Sequence, residues 1–166
     1  MAKKRRESEQ GHTRKLLVIV DETPEVYCAL FYAAGRVQHA GGRVQLLYVI
    51  EPENQFWEGV RHVQLEEQTN QARALFRLIR RELNNQGFDG VVTKEVIRQG
   101  KKAEEILKQI DEDDDVSVLV LGASTEATGP GPLVAAVTGG PMACRFPIPL
   151  TIVPGDSAIE DIRALA

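Results

Sequence analysis

The stretch that most limits what this chain can fold into is residues 116–122, VSVLVLG, with ASTEATGPGPLVAAVTGG directly after it. A run of valine and leucine, entered from the acidic residues 111–115 and closed by glycine, has the pattern of a strand buried on both faces of a parallel sheet. Such sheets hold ligands at the carboxyl ends of their strands, where the strand order reverses. Gly122 is therefore the first place to look for a site.

The other segments fit the same architecture. Residues 16–20 form a short, fully apolar first strand. Thr23-Pro24-Glu25 reads as a helix start, with Thr23 as cap, Pro24 at the first helical position and Glu25 at the positive end. Val26, Leu30, Ala33 and Val37 give that helix an apolar face, and Gly41-Gly42 ends it. Residues 43–50 are a second strand. In the loop at 51–58, Phe56 and Trp57 are expected to pack on the following helix, the alternative being that they cover a pocket. That helix runs from near His62 to Asn84, with Leu65, Ala72, Leu75, Phe76, Ile79 and Leu83 at helical spacing.

Residues 91–98 are a third strand, predicted to lie at an edge because Thr93, Lys94 and Glu95 would be costly to bury in a central one. A short helix follows through Ala103, Ile106, Leu107 and Ile110. After the central strand come one or two helical turns at 134–138, broken by Gly139-Gly140-Pro141, and a fifth strand at 147–153. Pro149 donates no hydrogen bond, so that strand begins after it or lies at an edge. Ile159 and Ile162 suggest a last half-turn. The pattern βαβαβαβαβ implies an open five-stranded parallel sheet of order 3-2-1-4-5, with helices on both faces. Asp21 and Gly122 then face each other across one crevice.

The 166 residues suit one domain: a basic tail at 1–15 expected to be disordered, an α/β domain at 16–154, and an extension at 155–166. The tail carries six basic and two acidic side chains, so the remainder of a chain of net charge -4 carries -8. That balance gives no reason to expect a nucleic-acid partner. Two cysteines are too few for a disulfide scaffold, and no apolar run is long enough for a secretory segment or a bilayer span. A cytoplasmic location without membrane association is the expectation.

Chemistry is sparse. No GxGxxG or GxxxxGK[ST] follows the first strand, which excludes dinucleotide and P-loop sites of those types. The pair Asp21-Glu22 lacks the third carboxylate and the lysine of a phosphoacceptor receiver, because Gln99 and Pro154 stand in those places. Asp21 either accepts hydrogen bonds from a ribose or base, or only organises the helix start. Phosphates, if bound, would meet Gly122, Ser124, Thr125 and Thr128, with Gly129, Gly131, Gly139 and Gly140 allowing close approach. Against this, Pro130 and Pro132 remove two donors, and Arg145 is the nearest basic group in sequence; the loop could equally be a structural wrap. His12, His39 and His62 have no metal-binding spacing, and Cys28 and Cys144 have no histidine beside them.

Over residues 15–154 the chain resembles the universal stress protein family. The matching pieces are LLVIVDET at strand one, LLYVIEP at strand two, GKKAEEILKQI before the acidic turn, VLVLGAS at strand four and FPIPLTIVPG at the last strand. The resemblance implies an adenine nucleotide alpha hydrolase-like fold, a homodimer formed through the last strand, and a role in stress response or signalling. It also implies ATP or AMP in the crevice, with Asp21 at the adenosine and Val49 lining the base pocket. Gly122 matches the first glycine of the family's phosphate loop. The second falls on Thr125, and the last pair would have to be Gly139-Gly140, further along and without the following hydroxyl. Three readings remain open: a nucleotide-binding stress module, a homodimeric interaction module that has lost its ligand, and a weak ATP hydrolase.

Overall fold

Apolar runs too short for helices and too continuous for a half-solvated sheet demand cover on both faces, and the chain supplies it. The structure is a computed structural model that describes residues 10–53 and 57–166. Strands β1 (Lys15–Ile19), β2 (Arg43–Ile50), β3 (Val92–Gln99), β4 (Val116–Ala123) and β5 (Leu150–Pro154) form one sheet of order β3-β2-β1-β4-β5. Every pairing is parallel. The expected topology is thus present, with strand limits shifted by a residue or a few.

Alternate residues of each strand enter two cores. Leu16, Val18, Leu46 and Val120 face helices α1 (Glu25–Ala40), α2 (Glu58–Asn85) and α6 (Ile159–Leu165). Leu17, Ile19, Leu47 and Leu121 face α3 (Lys102–Glu112) and α4 (Pro132–Thr138). Val26, Leu30, Ala33 and Val37 bury the inner face of α1, as their spacing requires. β3 is an edge strand with Thr93, Lys94 and Glu95 exposed, and β5 is the opposite edge, beginning just after Pro149.

Several expectations change. Thr23 does not cap α1: its hydroxyl and its amide both donate to Asp21 Oδ1, leaving Pro24 in the cap position. The Asp21 carboxylate, two residues past the strand, captures the donors first. α2 starts at Glu58, four residues before His62. Trp57 is 87% exposed, so it neither packs on α2 nor covers a pocket, while Phe56 lies outside the described residues. The break after Thr138 is present, with Gly139 extended, but Gly140–Ala143 then forms a further single helical turn, α5. The C-terminal segment is a two-turn helix rather than a half-turn, held by buried Ile162 and by Arg163 stacked over the Phe88 ring at 4.9 Å.

Residues 1–9 of the basic tail lie outside the described residues. The rest of it is tied to the acidic run before β4. His12 bonds Asp115, Arg14 Nε donates to Ser117 Oγ at 3.2 Å, and Lys15 Nζ lies 2.8 Å from Asp113. The opposite charges at the amino ends of these neighbouring parallel strands meet and tie residues 12, 14 and 15 to the start of β4.

One buried polar side chain breaks the apolar pattern. Gln45 on β2 is fully buried, and among the described residues neither polar atom of its amide has a hydrogen-bond partner. An unsatisfied buried amide costs about 1–3 kcal/mol. Gln45→Met keeps the shape and removes that cost, so it should raise stability by about 1–2 kcal/mol in urea unfolding. A fall in the unfolding midpoint would show instead that water bonds the amide inside the core.

Candidate functional site

The strand order reverses between β1 and β4, and a crevice opens there at their carboxyl ends. Its cavity of about 410 Å³ lies within the range of small-molecule sites. Ile19, Val26, Leu121, Leu133 and Val134 supply an apolar floor and wall; Asp21, Ser124 and Lys102 supply polar groups along the rim.

Asp21 is placed by the end of β1 and the turn into α1. One carboxylate oxygen accepts the Thr23 amide at 2.8 Å together with the Thr23 hydroxyl, and no hydrogen bond engages Oδ2 among the described residues. The carboxylate is thus held in one orientation with an acceptor to spare. Glu22, next to it, accepts the Tyr48 hydroxyl. Burial, and then this carboxylate, push the Tyr48 phenol far above its ordinary value, so it stays a donor.

Gly122 is where α1 and β4 nearly touch. A Cβ there would lie 2.4 Å from the Glu25 carbonyl oxygen, and one on Gly155 would lie 2.2 Å from the Ala123 carbonyl oxygen. Both glycines are demanded by the seating of the first turn of α1 on the sheet. The loop after β4 closes on itself. The Ser124 amide donates to the Pro130 carbonyl at 2.9 Å, the Glu126 amide to Ser124 Oγ at 3.2 Å, and the Gly129 amide to the Glu126 carbonyl at 3.3 Å. Pro130 and Pro132 lack N–H groups, so these two positions and the three bonded amides are withheld from a phosphate.

Of the residues singled out in sequence, Asp21, Gly122, Ser124 and Gly131 come together in the crevice. Thr125 is exposed outside its lining, and Gly139 and Gly140 lie exposed at the far end of α4. Val49 is buried in the core that also holds Ile19, Leu121 and Val134, behind the wall rather than in it. Cys28 is buried in α1, its thiol pushed up by burial and donating to the Gly155 carbonyl at 3.3 Å. Arg145 is not at the crevice; the cation there is Lys102.

Lys102 escaped sequence reasoning because it arrives from another crossover. It opens α3, whose first free amide, that of Lys102 itself, donates to Glu51 Oε1 at 2.8 Å. A carboxylate at the end of β2 thereby caps α3 and sets its first residue at the rim. Glu25 and Glu126 were also missed. With Asp21, Glu22 and Lys102 they line the crevice, whose described lining thus holds four acidic residues and one lysine. Among the described residues no group of three or more histidine, cysteine or carboxylate side chains is arranged to hold a metal, and no helix is long and apolar enough to cross a membrane.

An open parallel α/β sheet with its cavity at the β1/β4 reversal defines the class: a domain of the adenine nucleotide alpha hydrolase-like fold. The profile of the universal stress protein family matches residues 12–154, and the chain belongs to that family. Among solved structures it is similar to the universal stress protein UspA from Lactobacillus plantarum, with a TM-score of 0.70, 16% identity, and coverage of 87% of this chain and 99% of that one. A universal stress protein from Archaeoglobus fulgidus aligns with a TM-score of 0.57 at 16% identity over 89% of this chain and 98% of its own. A universal stress protein in complex with cAMP aligns with a TM-score of 0.51 at 16% identity, over 88% of this chain and all (100%) of its own. No curated protein sequence matches the chain.

Proposed function

We propose that this protein is a homodimeric stress-response or signalling module whose β1/β4 crevice takes an adenine nucleotide bearing few phosphates, AMP in preference to ATP. The observation that carries this reading is the cavity itself: an apolar floor at the strand-order reversal beside a carboxylate, Asp21, with one oxygen oriented and unbonded. A base fits against Ile19, Leu121 and Val134, and a ribose hydroxyl or base amino group donates to Asp21 Oδ2. Among the described residues that line the crevice Lys102 is the one cation, against four acidic residues, and that balance suits one phosphate far better than three. The self-bonded loop after β4 works in the same direction. The cAMP complex of a structural relative supports an adenine nucleotide as the ligand class. The dimer is drawn through β5, whose outer edge carries Ile152, 40% exposed. No hydrolytic step is assigned.

AMP at a hundredfold excess over its dissociation constant stabilises a folded protein by about 2.7 kcal/mol. For a domain of this size that is roughly 5–10 °C in melting temperature. Asp21→Ala should abolish most of the shift without lowering the melting temperature of the free protein by more than a few degrees. If neither AMP nor ATP shifts the melting curve of the wild-type chain, the second reading stands in its place: an interaction module without ligand. The packing role of Gly122 and the self-bonded amides of Ser124, Glu126 and Gly129 favour that alternative.

A further inference from the structure

The 28 residues of α2 make a helix about 42 Å long, longer than the sheet it covers. Its buried line is Ala72, Phe76, Ile79 and Leu83, all in the C-terminal half. Diametrically opposite run Val63, Ala74 and Arg81, with Val60 and Leu78 along one flank and Asn70 and Arg77 along the other. Val60, Val63 and Leu78 are 51%, 65% and 46% exposed, and together with Trp57 they are four of the six large exposed hydrophobic side chains among the described residues.

The charges on this face are segregated. Glu66 and Glu67 stand before its midpoint, and Arg73, Arg77 and Arg81 after it, with no ion pair for any of them among the described residues. Arg73, Arg77 and Arg81 are spaced four apart, so they repel one another along the helix, where an isolated surface helix is better served by interleaved signs. A face that is acid in one half and base in the other is complementary to itself when turned end for end.

The geometry points to a second copy of this chain as the occupant of the outer face of α2, paired antiparallel about a two-fold axis near Asn70 and Gln71. That register lays Val63 of one copy over Leu78 of the other. It also sets Glu66 and Glu67 beside Arg73 and Arg77 of the second copy, twice over by symmetry. Apolar burial supplies the attraction and the opposed charges select the antiparallel register. The face lies toward the β3 side of the sheet, away from β5, so the pairing is independent of the nucleotide reading and of the proposed β5 contact.

The test is disulfide trapping on the full chain. Asn70→Cys in a Cys144→Ser background should cross-link to its own copy under mild oxidation, because the two-fold axis brings residue 70 against itself. Glu160→Cys on α6 serves as the control for random collision, and Asn70→Cys should cross-link at least tenfold faster. Adding Glu66→Lys with Glu67→Lys, or Arg73→Glu with Arg77→Glu, should each reduce trapping to the control rate. Mixing the two charge variants should restore it, since every facing pair is then attractive. Ile152→Asp should leave the trapping intact, which separates this contact from any β5 dimer. Trapping at the control rate, or trapping that ignores the charge reversals, would overturn the inference.

Discussion

Gly122→Ala should lower stability by about 3 kcal/mol, near the top of the range for forced overpacking. The added methyl would sit 2.4 Å from the Glu25 carbonyl oxygen and 2.8 Å from its carbon. These are backbone atoms, so no rotamer change relieves the clash. α1 must lift off β4, and its first turn carries Glu25 and Val26 of the crevice wall with it. For a domain of this length the loss corresponds to roughly 6–12 °C in melting temperature. Gly59→Ala provides the contrast: it lies in α2 with nothing within 4 Å of its Cβ, and helix propensity alone should make it neutral or slightly stabilising. Paired melting curves settle it. A drop below about 1 kcal/mol for Gly122→Ala would show that α1 slides at little cost and that the glycine serves a ligand instead.

The second large effect is expected at Arg98, near the end of β3. Its guanidinium spans α3: Nε donates to Glu105 at 2.9 Å, Nη1 to Gln109 at 3.1 Å and to Glu112 at 2.8 Å. Glu105 and Gln109 are buried, and Lys108 is the other cation on Glu105, at 2.6 Å. Arg98→Ala leaves a buried carboxylate with one half-exposed partner and strips the Gln109 amide of a donor, a loss of about 2–3 kcal/mol. Arg98→Lys keeps the charge but not the fork, and should recover less than half of it.

The same network sets an acid limb. Bonds from Lys108 and then Arg98 hold the Glu105 carboxyl below its ordinary value, and Arg98 does the same for Glu112. A carboxyl whose value is depressed on folding stabilises the protein above the unfolded value of about 4.3, and that stability fades as pH falls through the folded value. Wild-type stability should therefore drop below about pH 4, and more gently in Arg98→Ala, as urea unfolding at several pH values would read directly. Equal slopes in the two proteins would remove Arg98 from this role.

Much of the fold was legible because it rests on short-range signals. Unbroken valine and leucine runs between glycine and proline punctuation define parallel strands, and the crossover rules leave few orders for them. The crevice followed from that order, and Asp21, Gly122 and Ser124 did meet there. What sequence could not carry was the company these residues keep. Lys102 is set at the rim where Glu51, 51 residues earlier in sequence, caps α3. The glycines after β4 suggested a phosphate cradle, yet Ser124, Glu126 and Gly129 spend their amides on the loop itself. Gly122 reads equally well as a ligand glycine or a packing glycine until the position of Glu25 is known. Likewise, α2 reads as an ordinary amphipathic helix, and only its overhang beyond the sheet leaves Val60 and Val63 uncovered.

The preference for an adenosine with few phosphates rests on a crevice lined by four acidic residues and, among the described residues, one lysine. Isothermal titration calorimetry of the full chain with AMP and with ATP, under identical buffer and salt, tests it most directly. The account predicts saturable heat with AMP and binding at least tenfold weaker for ATP, a difference of about 1.4 kcal/mol or more. Tighter binding of ATP than of AMP, or no heat from either, would contradict it.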